Sequence, residues 1–202
     1  MATPFDPHIQ YTLEDDRVVL RPLTTTDDGF LLPFALNEPE TWQYSHLSAA
    51  GVDGLSNYIS TALEARATGK EYPFIVYDKQ TNAYAGSTRF YDIQVPNHSL
   101  QLGYTWYGKD FRGTGLNKHC KFLLLQLAFE ELGMERVEFR ADARNERSIA
   151  AMKSIGCTVE GILRQNVPLR DGGRRDSIIL SILKPEWEGG VKDRLEKRIS
   201  RL

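Results

Sequence analysis

Residues 104–117, with the sequence YTWYGKDFRGTGLN, join an apolar strand pattern to a long apolar helix pattern through a short turn rich in glycine and basic residues. Such a turn leaves backbone N–H groups unpaired, and the N-terminus of the following helix carries partial positive charge. Both features favour the binding of a phosphate group. The sequence therefore predicts an anion-binding turn at the start of this helix.

Two common phosphate-binding motifs do not fit the turn. Gly108 and Gly113 have the spacing of the glycines in a Walker motif, but Thr114 stands where that motif requires lysine. A dinucleotide-binding fingerprint requires a third glycine at the position of Lys118. Nucleotide hydrolysis and dinucleotide binding are therefore poor interpretations of this turn.

Basic residues cluster around the helix start. Cations in the first turn oppose the helix dipole, at a cost of about 0.3–1 kcal/mol each. A bound polyphosphate would reverse the sign of this effect, whereas without a ligand the cluster would be a solvated basic face. The cluster contains Lys109, Arg112, Lys118 and Lys121, with His119 among them.

The sequence resembles the GNAT family of acyl-CoA-dependent N-acetyltransferases. The family motif Arg/Gln-x-x-Gly-x-Gly/Ala corresponds to Arg112-x-x-Gly115-x-Asn117, where Asn117 replaces the usual small residue and could instead cap the helix. The resemblance covers about residues 17–187 and is closest to the branch that acetylates the amino termini of ribosomal proteins. The supporting segments are residues 19–23, 128–133, 136–138, Asn145-x-x-Ser148, 155–157, 160–164 and 175–177.

The resemblance implies acetyl-CoA as the co-substrate. In the family, N–H groups of the turn bind the pyrophosphate, nearby cations such as Lys109 or Lys121 can pair with the outer phosphates, and the exposed edge of the fourth strand binds the pantetheine arm by strand addition. Asn145 could lie beside this arm or cap a short helix. The implied contacts are Tyr104, Thr105, Trp106, Arg112, Gly113, Thr114, Gly115, Leu116, Asn117, Lys118 and Asn145.

The implied reaction is direct attack of a neutral amine on the acetyl thioester, which needs a base for the ammonium and a proton donor for the leaving thiolate. Many relatives carry a tyrosine donor where this chain has Met152. Ser148 matches the serine of the branch and is the candidate acid, unless it only caps the helix. Glu160 matches a base proposed for the branch, with a surface ion pair as the alternative interpretation. Asp92, Tyr91 and a water chain are its rivals as the base.

The patterns along the chain alternate between strand and helix. The resemblance implies an α/β fold in which a mixed, strongly twisted sheet carries helices on both faces and splays between its fourth and fifth strands. We expect an acetyltransferase domain at residues 17–187 between an N-terminal extension, 1–16, and a charged C-terminal helix, 188–202. The predicted strands are residues 17–22, 72–77, 84–93, 99–106, 136–141, 158–165 and 177–183, and the main predicted helices are 28–36, 55–67, 117–132 and 145–154.

Composition narrows the class of protein. The 202 residues are 41% hydrophobic and 26% charged, as in globular proteins, and a net charge of −2 gives no general attraction to nucleic acids or anionic membranes. No apolar run is long enough to span a membrane and no signal-peptide pattern is present, so a cytoplasmic protein is expected. Cys120 and Cys157 are expected to be reduced, and the four histidines show no metal-ligand spacing, so no metal is expected.

These observations lead us to expect an enzyme that transfers an acetyl group from acetyl-CoA to a primary amine, either a small molecule or a protein amino terminus. The alternative is a non-catalytic acyl-CoA-binding sensor or interaction module of the same fold. No nucleic-acid or membrane partner is expected, and a homodimer is one option within the branch. The residues that could line the acceptor site, or could instead only pack their loop, are Trp42, Tyr44 and His46.

Overall fold

The computed structural model describes residues 3–45, 47–169 and 172–201. Within them, eight strands form one mixed sheet in the order β1-β2-β3-β4-β5-β6-β8-β7. Neighbouring strands are antiparallel except β5 and β6, which are parallel. The strands are β1 Leu13–Glu14, β2 Val18–Pro22, β3 Tyr72–Asp78, β4 Ala83–Gln94, β5 Ser99–Tyr107, β6 Arg136–Asp142, β7 Thr158–Pro168 and β8 Arg174–Leu183.

Helices cover both faces of this sheet. Phe74 and Ile75 are consecutive in β3 but belong to two different apolar clusters, because successive side chains of a strand point to opposite faces. No helix of the described ranges is long and apolar enough to cross a membrane. The helices are α1 Asp28–Asn37, α2 Gly51–Ala67, α3 Leu116–Gln126, α4 Glu146–Ser154, α5 Lys184–Glu186 and α6 Lys192–Ile199. Helices α1 and α2 contribute to one cluster, and α3, α4 and α6 contribute to the other.

The long helix differs from its predicted form at both ends. It begins at Leu116, after Gly115 in a left-handed conformation with φ of 91°, so the interpretation of Asn117 as its cap is wrong. Asn117 instead accepts a hydrogen bond from the Tyr107 hydroxyl, at 3.3 Å. The predicted last turn is a π-helical segment, Leu127–Glu131.

The parallel pair β5–β6 is short, and its strands separate early. Only residues 99–101 of β5 pair with residues 136–138 of β6, and the rest of this edge of β5 is unpaired. β5 and β6 correspond to the fourth and fifth strands predicted from the sequence, because that prediction did not include the two-residue strand β1. The predicted splay of the sheet is therefore confirmed.

A bulge bends β5 just beyond the separation. Ser87 of β4 is opposite Trp106 and Arg89 is opposite Gly103, so two residues of β5 face Thr88 alone. One of these two, Tyr104, has φ of 48°. A bulge of this kind increases local twist and redirects side chains, and here it turns the strand away from β6.

The two ends of the described chain pack onto the domain. The Tyr72 hydroxyl donates to the Ile9 carbonyl at 2.6 Å, and the ring of Tyr11 packs against that of Tyr72. At the other end, Trp187 is buried against Phe122 and Phe129, and its indole N–H donates to Glu130 at 2.9 Å. Both terminal segments therefore contribute to the core.

Gly86 on β4 is required by the close approach of the β5 backbone. It has φ of 155°, and a Cβ added there would lie 2.1 Å from the carbonyl oxygen of Trp106. We expect Gly86→Ala to lower the free energy of unfolding by about 3 kcal/mol, at the upper end of overpacking costs, as measured by urea denaturation. Gly161→Ala is the matched control, since its added Cβ meets nothing within 4 Å, and equal stability of the two variants would contradict this assignment.

Candidate functional site

A cavity of about 860 Å³ opens where β5 and β6 separate. Its walls come from both strands, the glycine turn, α4 and the loop that follows α1. This volume falls in the range of cavities that bind small molecules and cofactors. The sequence-predicted residues that line it are Tyr104, Thr105, Trp106, Arg112, Gly113, Gly115, Asn117, Lys118, Asn145 and Ser148.

The glycine turn presents free backbone donors. The N–H groups of Gly113, Thr114 and Gly115 donate to no group in the part of the chain that the structure describes. Gly113 has φ of 76°, and its side-chain position faces open space. The turn therefore has the backbone geometry of an anion cradle.

Two predicted residues of the turn do not line the cavity with their side chains. Leu116 is fully buried in the core. Thr114 is exposed, and its hydroxyl donates to the Phe111 carbonyl at 2.9 Å. Any contact of Thr114 and Leu116 with a ligand would therefore come from the backbone.

Arg112 fixes the turn to neighbouring segments. Its Nε donates to the Tyr107 carbonyl at 2.8 Å, and one Nη donates to Thr41 at 2.6 Å and lies 3.5 Å from a Glu38 oxygen. Burial, with a further contribution from the charge of Arg147, lowers the pKa of Arg112. Arg147, in the first turn of α4, also lines the cavity, and the sequence analysis did not identify it.

Asn145 and Ser148 meet at the start of α4. The Asn145 side-chain oxygen accepts from the Ser148 N–H at 3.1 Å, so Asn145 caps this helix. Its amide nitrogen and the Ser148 hydroxyl have no hydrogen-bond partner among the described residues. Both groups are available to a ligand, whereas Met152, one turn further along, adds only an apolar surface to the cavity.

Glu160 lies outside the residues that line the cavity. Its carboxylate pairs with Arg136, with one N···O distance of 2.6 Å, and accepts from the Ser181 hydroxyl at 2.6 Å. Hydrogen bonding to Arg136 lowers the pKa of Glu160 to about 2. This arrangement is the ion pair that the sequence left as the alternative, and it makes a weak base.

Asp92 and Tyr91 do reach the cavity. The Asp92 carboxylate accepts hydrogen bonds from Gln94 and Gln101, both at 2.7 Å. Burial raises the pKa of Tyr91, so its phenol stays protonated and is unsuited to accept a proton. The other carboxylate of the lining, Asp142, accepts hydrogen bonds from Nε and one Nη of Arg144.

Arg175 is a cavity residue to which the sequence analysis gave no function. It is 6% exposed, its Nε donates to the Ser177 hydroxyl at 2.9 Å, and one Nη donates to the Tyr44 carbonyl at 3.3 Å. Tyr44 lines the cavity, as predicted. Trp42 instead packs against Trp106 with ring centroids 5.0 Å apart, and His46 lies outside the described residues.

Lys121 occupies a different place from the one that the basic cluster suggested. It is 5% exposed and lines the cavity, with Nζ donating to Thr105 Oγ1 at 2.7 Å and to Thr88 Oγ1 at 3.3 Å. It follows Gly115 by six residues, or about 9 Å of helix. Lys121 therefore lies at the strand separation and not at the turn.

Three side chains away from this cavity could in principle ligate a metal. Ligand atoms of Asp15, Asp16 and His119 lie within 4.8 Å of one another. Asp15 already accepts from the N–H groups of Arg17 and Val18 and pairs with His119 at 2.7 Å. Hydrogen bonding accounts for this group, so we assign it no metal.

Comparisons with known proteins agree with this geometry. The sequence matches the acetyltransferase (GNAT) domain over residues 17–158. It is 33% identical over 115 residues to a Bacillus subtilis protein named "Putative ribosomal N-acetyltransferase YdaF", an alignment that covers 57% of this chain and 60% of that protein.

Solved structures share the fold. A GCN5-related N-acetyltransferase from Brucella melitensis superposes with a TM-score of 0.88 at 22% identity, covering 98% of this chain and 89% of that one. The ribosomal-protein-S5-alanine acetyltransferase from Vibrio fischeri superposes with a TM-score of 0.70 at 19% identity, covering 88% and 98%. The chain therefore belongs to the GNAT family of acetyltransferases.

Proposed function

We propose that this protein transfers the acetyl group of acetyl-CoA to a primary amine by direct attack of the amine on the thioester. One continuous cavity joins the glycine turn, the unpaired edge of β5 and a polar region around Asp92, and this continuity carries the proposal. Acetyl-CoA supplies an activated acyl group when bound. Placing two reactants side by side in such a cavity can contribute roughly 7–11 kcal/mol to catalysis.

The residues present fit acetyl-CoA. The free N–H groups at Gly113 and Gly115 suit a pyrophosphate, and the cationic side chains of Lys118 and Arg147 suit further phosphate charge. The unpaired edge of β5 at residues 104–106 can accept an extended arm as an added strand. The free amide nitrogen of Asn145 would donate to the same arm.

On the acceptor side, we assign proton removal to Asp92, acting directly or through water. It is the lining carboxylate that is not engaged by an arginine, and its two partners are neutral amides. We assign to Ser148 a hydrogen bond to the thioester sulfur, which is supported by its place in the lining and by a hydroxyl without a partner in the described chain.

Charge in the cavity favours some amines over others. Arg175 is buried in the lining, and its charge repels an acceptor that carries several positive charges. A polyamine is therefore disfavoured relative to a protein amino terminus. The name of the Bacillus subtilis relative supports the same class of acceptor.

An acceptor screen tests this function. We expect release of free thiol from acetyl-CoA with peptides that have a free amino terminus, and little with spermidine or with the same peptides after N-formylation. The readout is thiol release together with the mass of the acetylated peptide. Tight acetyl-CoA binding without turnover on any amine would instead support the sensor interpretation.

Replacing Ser148 tests its contact with the sulfur. We expect Ser148→Ala to lower kcat about tenfold, the upper range for one neutral hydrogen bond, and to leave the acetyl-CoA Kd within about twofold. Steady-state kinetics and calorimetry give the two values. Ser60→Ala on α2, whose hydroxyl donates only to the Asn57 carbonyl, is the control, and equal kcat in both variants would remove Ser148 from the mechanism.

The base is tested by comparing two carboxylates. We expect Asp92→Asn to lower kcat/KM about a hundredfold, the lower range for loss of a general base. Glu160→Gln should keep kcat/KM within about threefold and preserve the shape of the pH profile, because Glu160 is paired with Arg136 outside the cavity. The opposite ranking, with Glu160→Gln the more damaging change, would reassign the base.

A further inference from the structure

Lys121 is a buried cation without a counter-ion. Its residue is 5% exposed, and no carboxylate of the described chain lies within 4.0 Å of Nζ. The ammonium donates only to the hydroxyls of Thr105 and Thr88. Burial lowers the pKa of Lys121 to about 8.

No negatively charged group of the described chain contacts the Lys121 ammonium. Cys120 on α3 and Cys157 before β7 interact with it electrostatically, but burial raises the pKa of each thiol to about 12, so both are neutral. β6 contributes the ring of Phe139, whose centroid is 6.0 Å from Nζ, and β5 contributes Tyr107, whose phenol is kept protonated by burial. An unpaired ammonium in such surroundings costs several kcal/mol.

Lys121 lies where a buried cation can take part in the proposed reaction. Its main partner, Thr105, belongs to the stretch of β5 that has left β6, and both residues line the cavity there. In the proposed reaction, negative charge develops on sulfur when the thioester is cleaved and CoA becomes the leaving group. A preorganised cation is most effective where charge develops during a reaction.

We propose that Lys121 is the catalytic acid, which donates a proton from Nζ to the sulfur of CoA as the thioester breaks. This role rests on the proposed acetyl transfer. The amine nitrogen forms a bond to the acetyl carbon and loses a proton to solvent, while the C–S bond breaks and its electron pair passes to sulfur. The proton of Nζ then moves to sulfur, which leaves Lys121 neutral until it regains a proton from solvent.

The acidities of donor and acceptor support this role. A thiol has an ordinary pKa of roughly 8.5, close to the value of about 8 for Lys121, so the proton transfer is nearly balanced in free energy. General acid catalysis is most efficient when the donor pKa lies near the working pH. Ser148 can share a hydrogen bond with sulfur but is too weak an acid to deliver a proton at neutral pH, and Met152 has no proton to give.

The test measures the acidity of bound CoA and needs no acceptor. The ultraviolet absorbance of the thiolate is followed against pH for CoA bound to wild-type protein and to Lys121→Met, with desulfo-CoA as the blank. An ammonium next to sulfur stabilises the thiolate, so we expect the midpoint of the thiolate absorbance to lie about 1–3 pH units lower in the wild type than in Lys121→Met. Lys118→Met, one turn earlier on α3, should bind CoA more weakly but keep the wild-type titration.

Two results would overturn different parts of the proposal. Identical thiol titrations in wild type and Lys121→Met would overturn the assignment of Lys121 and leave the acetyl transfer intact. Failure of the wild-type protein to bind CoA at all would overturn the proposed function itself. If the assignment holds, Lys121→Met should also lower kcat with amine acceptors while keeping the acetyl-CoA Kd.

Folding of the variant is checked separately. Methionine is similar in length and removes a buried charge, so Lys121→Met should fold at least as stably as the wild type at neutral pH. Lys121 has a pKa of 10.5 in the unfolded chain and about 8 in the folded protein. The unfolded state therefore binds more protons than the folded state between about pH 8 and pH 10.5. Wild-type stability should therefore rise with pH across this window, and Lys121→Met should lack that rise.

Discussion

The site depends on the point at which β5 leaves β6, and a buried cation holds that bend. Arg89 of β4 lies between the rings of Tyr58 and Tyr104, with its guanidinium carbon 4.5 and 4.3 Å from their centroids, and pairs with Glu71 at 2.6 Å. Its Nε and one Nη have no hydrogen-bond acceptor in the described chain, because the aromatic faces enclose them. Tyr58 also donates to the Tyr104 carbonyl at 3.3 Å, so both the side chain and the backbone of the bulge are fixed.

Two acidic residues of β6 pair with nearby arginines. Glu138 pairs with Arg136 and Arg140, and Asp142 pairs with Arg144, so these two acids of β6 are neutralised by arginines of the same strand or the loop after it. Four cations that line the cavity have no carboxylate within 4.0 Å in the described chain: Lys118, Lys121, Arg147 and Arg175. The protein thus keeps a positive potential where an anionic co-substrate would lie, although the net charge of the whole chain is −2.

The sequence predicted the backbone of the site better than its side chains. The glycine turn, the order of the elements and the splayed strands follow from local patterns and the family resemblance. The partner of Glu160 is Arg136, 24 residues away on a strand that is not adjacent to β7, so no local pattern indicates the ion pair. Arg175 was missed for the same reason, since it reaches Tyr44 across 131 residues.

Lys121 was assigned to the wrong environment because it was grouped with its charged neighbours in sequence. Helix geometry contains a better signal. Lys121 precedes Leu124 and Leu125 by three and four residues, and both leucines are fully buried, so all three residues lie on the face that packs onto the sheet. A lysine within an apolar helical stripe is costly unless it has a partner.

The burial of Lys121 on α3 is related to the presence of an apolar residue, Met152, on α4. Many relatives carry a tyrosine donor on α4, and here an apolar side chain takes that place. A donor supplied from α3 instead must be buried, because α3 packs against the sheet along its length, and burial is what brings the pKa of an amine down to that of a thiol. The isolation of Lys121 from carboxylates is then a requirement of the chemistry, since a buried ion pair would raise its pKa and hold the proton that the sulfur needs.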